Sequence, residues 1–104
     1  MTILESYVPQ TTKAIAILEV QAVAAAIAGL DAMVKAAEVR LIHTEKHLGG
    51  RLMAVVVDGN VSAVSAALEA GKAAAAEVGY VKAATVIPLP HDEVRKFLYT
   101  DPLV

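Results

Sequence analysis

At 104 residues the chain has the size of a single domain with a modest core. Its composition is 57% hydrophobic and only 19% charged, with a formal net charge of −2, which excludes a basic nucleic-acid footprint. Phe97 and three tyrosines are the only aromatic residues, too few to form platforms for stacking bases.

The apolar excess is mostly alanine, and a small domain cannot hide so much apolar surface within itself. Burial against other copies or partners is therefore expected. No apolar run approaches the roughly 20 residues needed to span a bilayer. The start, MTILESYVPQTTK, lacks the basic and apolar regions of a signal peptide. With no cysteine there is neither disulfide nor thiolate chemistry, which fits a cytoplasmic protein.

Residues 1–12 read as an N-terminal extension without a helical stripe. Lys13 to Val20 alternates as a strand, with Ile15 and Ile17 on one face. From Gln21 to Ala37 the spacing changes: Val23, Ile27, Leu30 and Val34 recur at i, i+4, i+7 and i+11 and predict one core-facing helical stripe. Val39 to Thr44 returns to alternation, Val39, Leu41 and His43 sharing one face. A loop is expected over Glu45–Arg51, then a buried strand over Leu52–Val57.

Asp58-Gly59-Asn60 reads as a turn, with Asn60 capping a second helix whose stripe is Val61, Val64, Leu68, Ala75 and Val78. Gly79 stands where a glycine commonly ends a helix. A last strand spans Val81–Ile87, closed by Pro88-Leu89-Pro90, and a short helix over His91–Leu98 leads into a tail at 99–104.

The halves repeat. At an offset of 38 positions, Ile15-Ala16-Ile17-Leu18 overlies Met53-Ala54-Val55-Val56, and Ala28–Ala32 overlies Ala66–Ala70. Each half is strand–helix–strand. The whole is therefore α+β, a ferredoxin-like βαββαβ fold: a four-stranded antiparallel sheet with two helices on one face and a short C-terminal helix. The other face must be covered by the terminal helix, the extension or a neighbour.

His43, Glu45 and His47 form the one cluster of metal-ligating type. Four residues of extended strand separate the histidines by about 13 Å, too far for one ion, so no metal site is expected within a chain. Ser62 and Ser65 sit in an alanine-rich helix without a His/Asp partner at motif spacing. Asp31 and Glu69 occupy equivalent helix positions, where solvated carboxylates are the simpler reading than an acid/base pair. Gly49-Gly50 does not lead from a strand into a helix N-terminus, as phosphate loops require. No catalytic residue, cofactor or enzyme activity is expected.

The loop Lys46-His47-Leu48-Gly49-Gly50-Arg51 reads alone as a tight hairpin turn with solvated charges. Repeated around a symmetry axis, it would make a small positive constriction. Lys35 alone is a solvated cation at a helix C-terminus.

Taken together, LDAMVKAAEVRLIHTEK, DGNVSAVSAALEAGKAAAAEVG and VIPLPHDEV resemble the single-domain shell proteins of bacterial microcompartments. The resemblance spans about Lys13 to Leu98 and places the domain at residues 13–98. It implies a cyclic homohexamer, a hexagonal tile packing edge to edge with other shell proteins (hexamers, trimers and pentameric vertices) around encapsulated enzymes. Nucleic acid and membrane are not implied as partners.

The resemblance also implies that Glu45, Lys46, His47, Leu48, Gly49, Gly50 and Arg51 line a central pore. In the same way it assigns Lys35, Glu38, Leu89, Pro90 and His91 to the tile edge. Six Lys46, His47 or Arg51 side chains would favour anions and polar metabolites. Six facing imidazoles at His47 would make passage pH-dependent.

The chain departs from the family pattern in three places: Leu89 replaces a frequent arginine, the pore loop is about one residue longer, and residues 1–12 extend the N-terminus. A competing reading is an oligomeric ferredoxin-like regulatory module that binds a small effector at subunit interfaces.

Overall fold

The computed structural model describes residues 13–99; the extension read at residues 1–12 and the tail after Tyr99 lie outside the described residues. The order is β1 (Ala14–Gln21), α1 (Val23–Ala36), β2 (Arg40–His47), a 3-10 turn (Leu48–Gly50), β3 (Leu52–Gly59), α2 (Val61–Ala76), β4 (Tyr80–Ile87) and α3 (Asp92–Tyr99). The strands form one antiparallel sheet in the order β2-β3-β1-β4. The two halves interlock by placing β3 beside β1, and this is the expected ferredoxin-like arrangement.

Alternation along β1 assigns its two faces. Ala14, Ala16, Leu18 and Val20 join Val55 and Val57 of β3 under α1 and α2, forming the main core. Ile15 points the other way and forms a second cluster with Val56 and Leu98, flanked by Ile17, Ile42 and Ile87. The C-terminal helix α3 thus covers part of the second sheet face.

Several sequence expectations are corrected. The predicted stripe of α1 is inverted: Ala25, Ala26, Gly29 and Met33 are buried, whereas Ile27 is 62% exposed and Val23 and Val34 are also exposed. Leu30 alone of the stripe packs against the core. In α2, Val64, Leu68 and Ala75 are buried as expected, but Val61 is exposed, as is Val78 beyond the helix end.

The cause is close helix packing. A Cβ on Gly71 would stand 2.5 Å from Met33 Cγ, and one on Gly29 would stand 2.7 Å from Leu18 Cδ2 and 3.3 Å from the Gly71 carbonyl oxygen. Glycine at both positions lets the helices close around Met33, and the branched side chains are turned outward.

Asp58 and Gly59 belong to β3 and not to a turn, although Asn60 does cap α2 by accepting from Ala63 N–H at 2.8 Å. A register shift between Leu41 and His43 turns His43 away from the face that Leu41 occupies. Its ring lies 5.5 Å from that of Phe97 in α3.

Polar anchors fix the two ends of α3. Arg95 donates from Nε to the Pro90 carbonyl at 3.2 Å and from Nη2 to the Lys13 carbonyl at 3.0 Å. Tyr99 donates its hydroxyl to Asp58 Oδ2, which also accepts from Arg40 Nη2 at 3.2 Å.

Candidate functional site

Antiparallel topology sorts the candidate residues onto opposite ends of the sheet. β1 ends, β2 ends, β3 begins and β4 begins at one end, where the Leu48–Gly50 turn lies. Lys13, Arg40, Gly59 and Ile87 mark the other end, together with the C-terminus of α1 and the start of α3. Eight residues of strand separate the two by roughly 25 Å.

The turn is shorter than the expected loop. β2 continues through His47, so Glu45, Lys46 and His47 are strand residues paired with Ala54, Met53 and Leu52. Strand alternation divides them: Glu45 and His47 face the α3 side, and Lys46 faces the side of α1 and α2. Glu45 stands between two imidazoles, 2.9 Å from His43 Nε2 and 3.6 Å from His47 Nε2. Among the described residues no group of three or more ligating side chains could hold a metal ion.

Leu48, Gly49 and Gly50 have φ of 54°, 66° and 92°, three successive left-handed residues that reverse the chain tightly. Leu48 is 67% exposed at the tip, while Gly50 is buried. A Cβ at Gly50 would come within 3.3 Å of Val23 Cγ2 in α1, so glycine lets the turn sit against that helix. Arg51 folds back on its own turn, both its backbone N–H and its Nε donating to the Leu48 carbonyl at 3.3 Å. Gln21, Ala22 and Tyr80 border the same surface, which sequence patterning did not single out.

At the opposite end Lys35 is exposed and pairs with Asp31 at 2.8 Å, one helical turn earlier. Glu38 is exposed and borders a cleft of about 550 Å³ with Lys13, Arg40 and Asp58. Leu89 is 68% exposed and Pro90 is buried. His91 is exposed and accepts at Nδ1 from Glu93 N–H at 3.1 Å, closing the first turn of α3. Leu89, Pro90 and His91 border a second cleft with Asp92 and Arg95, so the proposed edge residues do not converge within one subunit.

Asp58 and Arg95 were not singled out as candidate site residues, because nothing in their spacing marks a buried charge. Asp58 is 1% exposed and Arg95 0% exposed. The hydrogen bond to Asp58 raises the pKa of Arg40 despite partial desolvation. Burial, and then the Asp58 hydrogen bond, push the Tyr99 hydroxyl well above the usual tyrosine range. Asp31 and Glu69 pair with Lys35 and Lys72 on the surface, as the solvated reading expects.

A family model described as the BMC domain matches residues 14–90. The chain belongs to the BMC-domain family. Over 86 residues it is 50% identical to the bacterial microcompartment shell protein PduA of Citrobacter freundii, covering 83% of this chain and 91% of that protein. It is 40% identical over 84 residues to the shell protein EutM of Salmonella typhimurium, covering 81% of this chain and 86% of that one.

Among solved structures it resembles a microcompartment protein of Desulfitobacterium hafniense, with a TM-score of 0.75 and 32% identity over 89% of this chain. It spans about half, 51%, of that longer chain. The BMC-domain match ends at Pro90, so α3 lies beyond it.

Proposed function

We propose that this chain, a structural shell protein of a bacterial microcompartment in the cytoplasm, assembles as a cyclic homohexamer. The Leu48–Arg51 turn rings the six-fold axis, and the end bearing Lys35, Glu38, Leu89, Pro90 and His91 meets the next tile. Other hexamers, trimers and pentameric vertices are its partners in the shell, with encapsulated enzymes beneath. The BMC-domain family is structural and not enzymatic, and the chain's membership in it weighs against the regulatory-module reading.

The observation that carries this reading is the separation of the two residue groups to opposite ends of the sheet. A tile needs such a polarity, because one end of each wedge faces the axis and the other faces outward. The apolar side chains turned out from α1, Val23, Ile27 and Val34, supply flank surface for neighbouring wedges.

Passage through the pore is passive. Lys46 and Arg51 would concentrate small anions in the narrow opening. Glu45, 3.6 Å from His47 Nε2, tempers that field.

Native mass spectrometry should give six copies, and assembled shells carrying Lys46→Glu and Arg51→Glu should pass anions several-fold more slowly with the hexamer intact. Three copies, or anion permeability unchanged in those shells, would refute the proposal.

A further inference from the structure

Arg95 is the most unusual charged group among the described residues. It is 0% exposed, and its two partnered nitrogens donate to the Pro90 and Lys13 carbonyls. Its Nη1 has no partner. None of the ion pairs among the described residues includes it. Arginine does not shed its proton when buried, so a guanidinium satisfied only by carbonyl dipoles retains an uncompensated charge. Such a group in a closed core would be strongly destabilising, and its natural complement is an anion.

The surroundings provide room for one. Arg95 lines a cleft of about 390 Å³ with Leu89, Pro90, His91 and Asp92, a volume that suits a small molecule. The cleft lies at the N-terminal end of the eight-residue helix α3, where the helix dipole also favours negative charge. His91 adds a donor: because Nδ1 accepts from Glu93 N–H, the neutral imidazole carries its proton on Nε2. The Val94 and Arg95 backbone N–H groups are already used by the His91 carbonyl, so side chains and not the helix backbone would hold a ligand.

We propose that the cleft over Arg95 is a binding site for a small oxyanion, a carboxylate or phosphate group. Nη1 of Arg95 is its principal donor, and His91 closes it from the solvent side. Asp92 also borders the cleft and bears the opposite sign. It is exposed and solvated, whereas Arg95 is buried, so the guanidinium dominates at the floor while Asp92 selects against highly charged anions. The site is at the far end of the sheet from Arg51 and is independent of the pore. It would let an anionic metabolite bind at the tile's outer end.

Calorimetric titration of the full chain with inorganic phosphate and with acetate tests the site. The Lys72→Gln variant, which removes a surface cation of α2 paired with Glu69, should bind as the parent does. Arg95→Gln should weaken binding at least about tenfold, and Arg95→Lys, which keeps the charge but not the planar fork, should recover part of it. Tighter binding of acetate would mark a carboxylate site, and of phosphate a phosphate site.

If Arg95→Gln fails to fold, His91→Ala, altered at an exposed residue, should still weaken binding several-fold. Crystals soaked in selenate should then show the ion on Nη1. Equal affinity in a folded Arg95→Gln protein, no saturable binding up to about 10 mM, or selenate confined to the Leu48–Arg51 turn would overturn the proposal.

Discussion

Asp58 shows how one buried carboxyl ties the C-terminal helix to the sheet. The strand register sets it opposite Arg40, and Tyr99 reaches it from the last turn of α3. Removing the tyrosine hydroxyl leaves Oδ2 with Arg40 alone, while Oδ1 already lacks a partner. Tyr99→Phe should therefore cost about 1–3 kcal/mol, read from urea unfolding at neutral pH.

The same contact has a pH signature. The folded state holds the Tyr99 proton above the ordinary tyrosine value of 10.0, mainly through burial. Its contribution is complete below pH 10 and is lost as pH rises further, because the unfolded chain releases the proton first. The urea midpoint of the parent should fall faster above pH 10 than that of Tyr99→Phe; parallel curves would show that Tyr99 contributes nothing there. Asp58 looked like a turn residue in the sequence because Asp-Gly-Asn is a common turn composition. Its burial depends on a helix more than thirty residues away, which local composition does not encode.

At the level of elements, the helix pair is organised by its glycines. Gly29 and Gly71 allow α1 and α2 to approach until a Cβ on either would collide with a neighbour. Gly71→Val should destabilise the fold by at least about 2 kcal/mol through overpacking against Met33 and the Gly29 carbonyl. Ala66→Val, on the exposed face of the same helix, reports the smaller cost of β-branching alone. Equal urea midpoints for the two variants would contradict the close-packing account.

This crossing also explains what periodicity could and could not reveal. The strands, both helices and the pseudo-repeat were legible, because alternation and 3.6-residue spacing are local properties. The buried face of α1 was not, because valine and isoleucine normally mark a core. Here alanine, glycine and methionine occupy it, and the branched residues are exposed. The turn was likewise located but overextended: Glu45–His47 looked like loop because their charge masked strand alternation on an edge strand.

At the scale of the whole molecule, the two ends of the sheet differ in charge and shape, as the proposed tile requires. The turn end has left-handed glycines and Arg51 folded over its own loop, an arrangement that favours a compact rim. The opposite end has Lys35 on a flexible stem, held by an exposed pair with Asp31. Such surface pairs contribute about 0–1 kcal/mol, so the proposed edge contact would cost Lys35 little when it leaves Asp31.

Leu89 supplies no planar donor, which leaves Lys35 as the main polar contributor proposed for that edge. Lys35→Ala should therefore leave the hexamer and its urea midpoint nearly unchanged while abolishing extended sheets in electron micrographs. Sheets that persist in Lys35→Ala and disappear in Leu89→Asp would instead assign the edge to apolar contact. Loss of the hexamer itself would move Lys35 from the tile boundary to the interface within the ring.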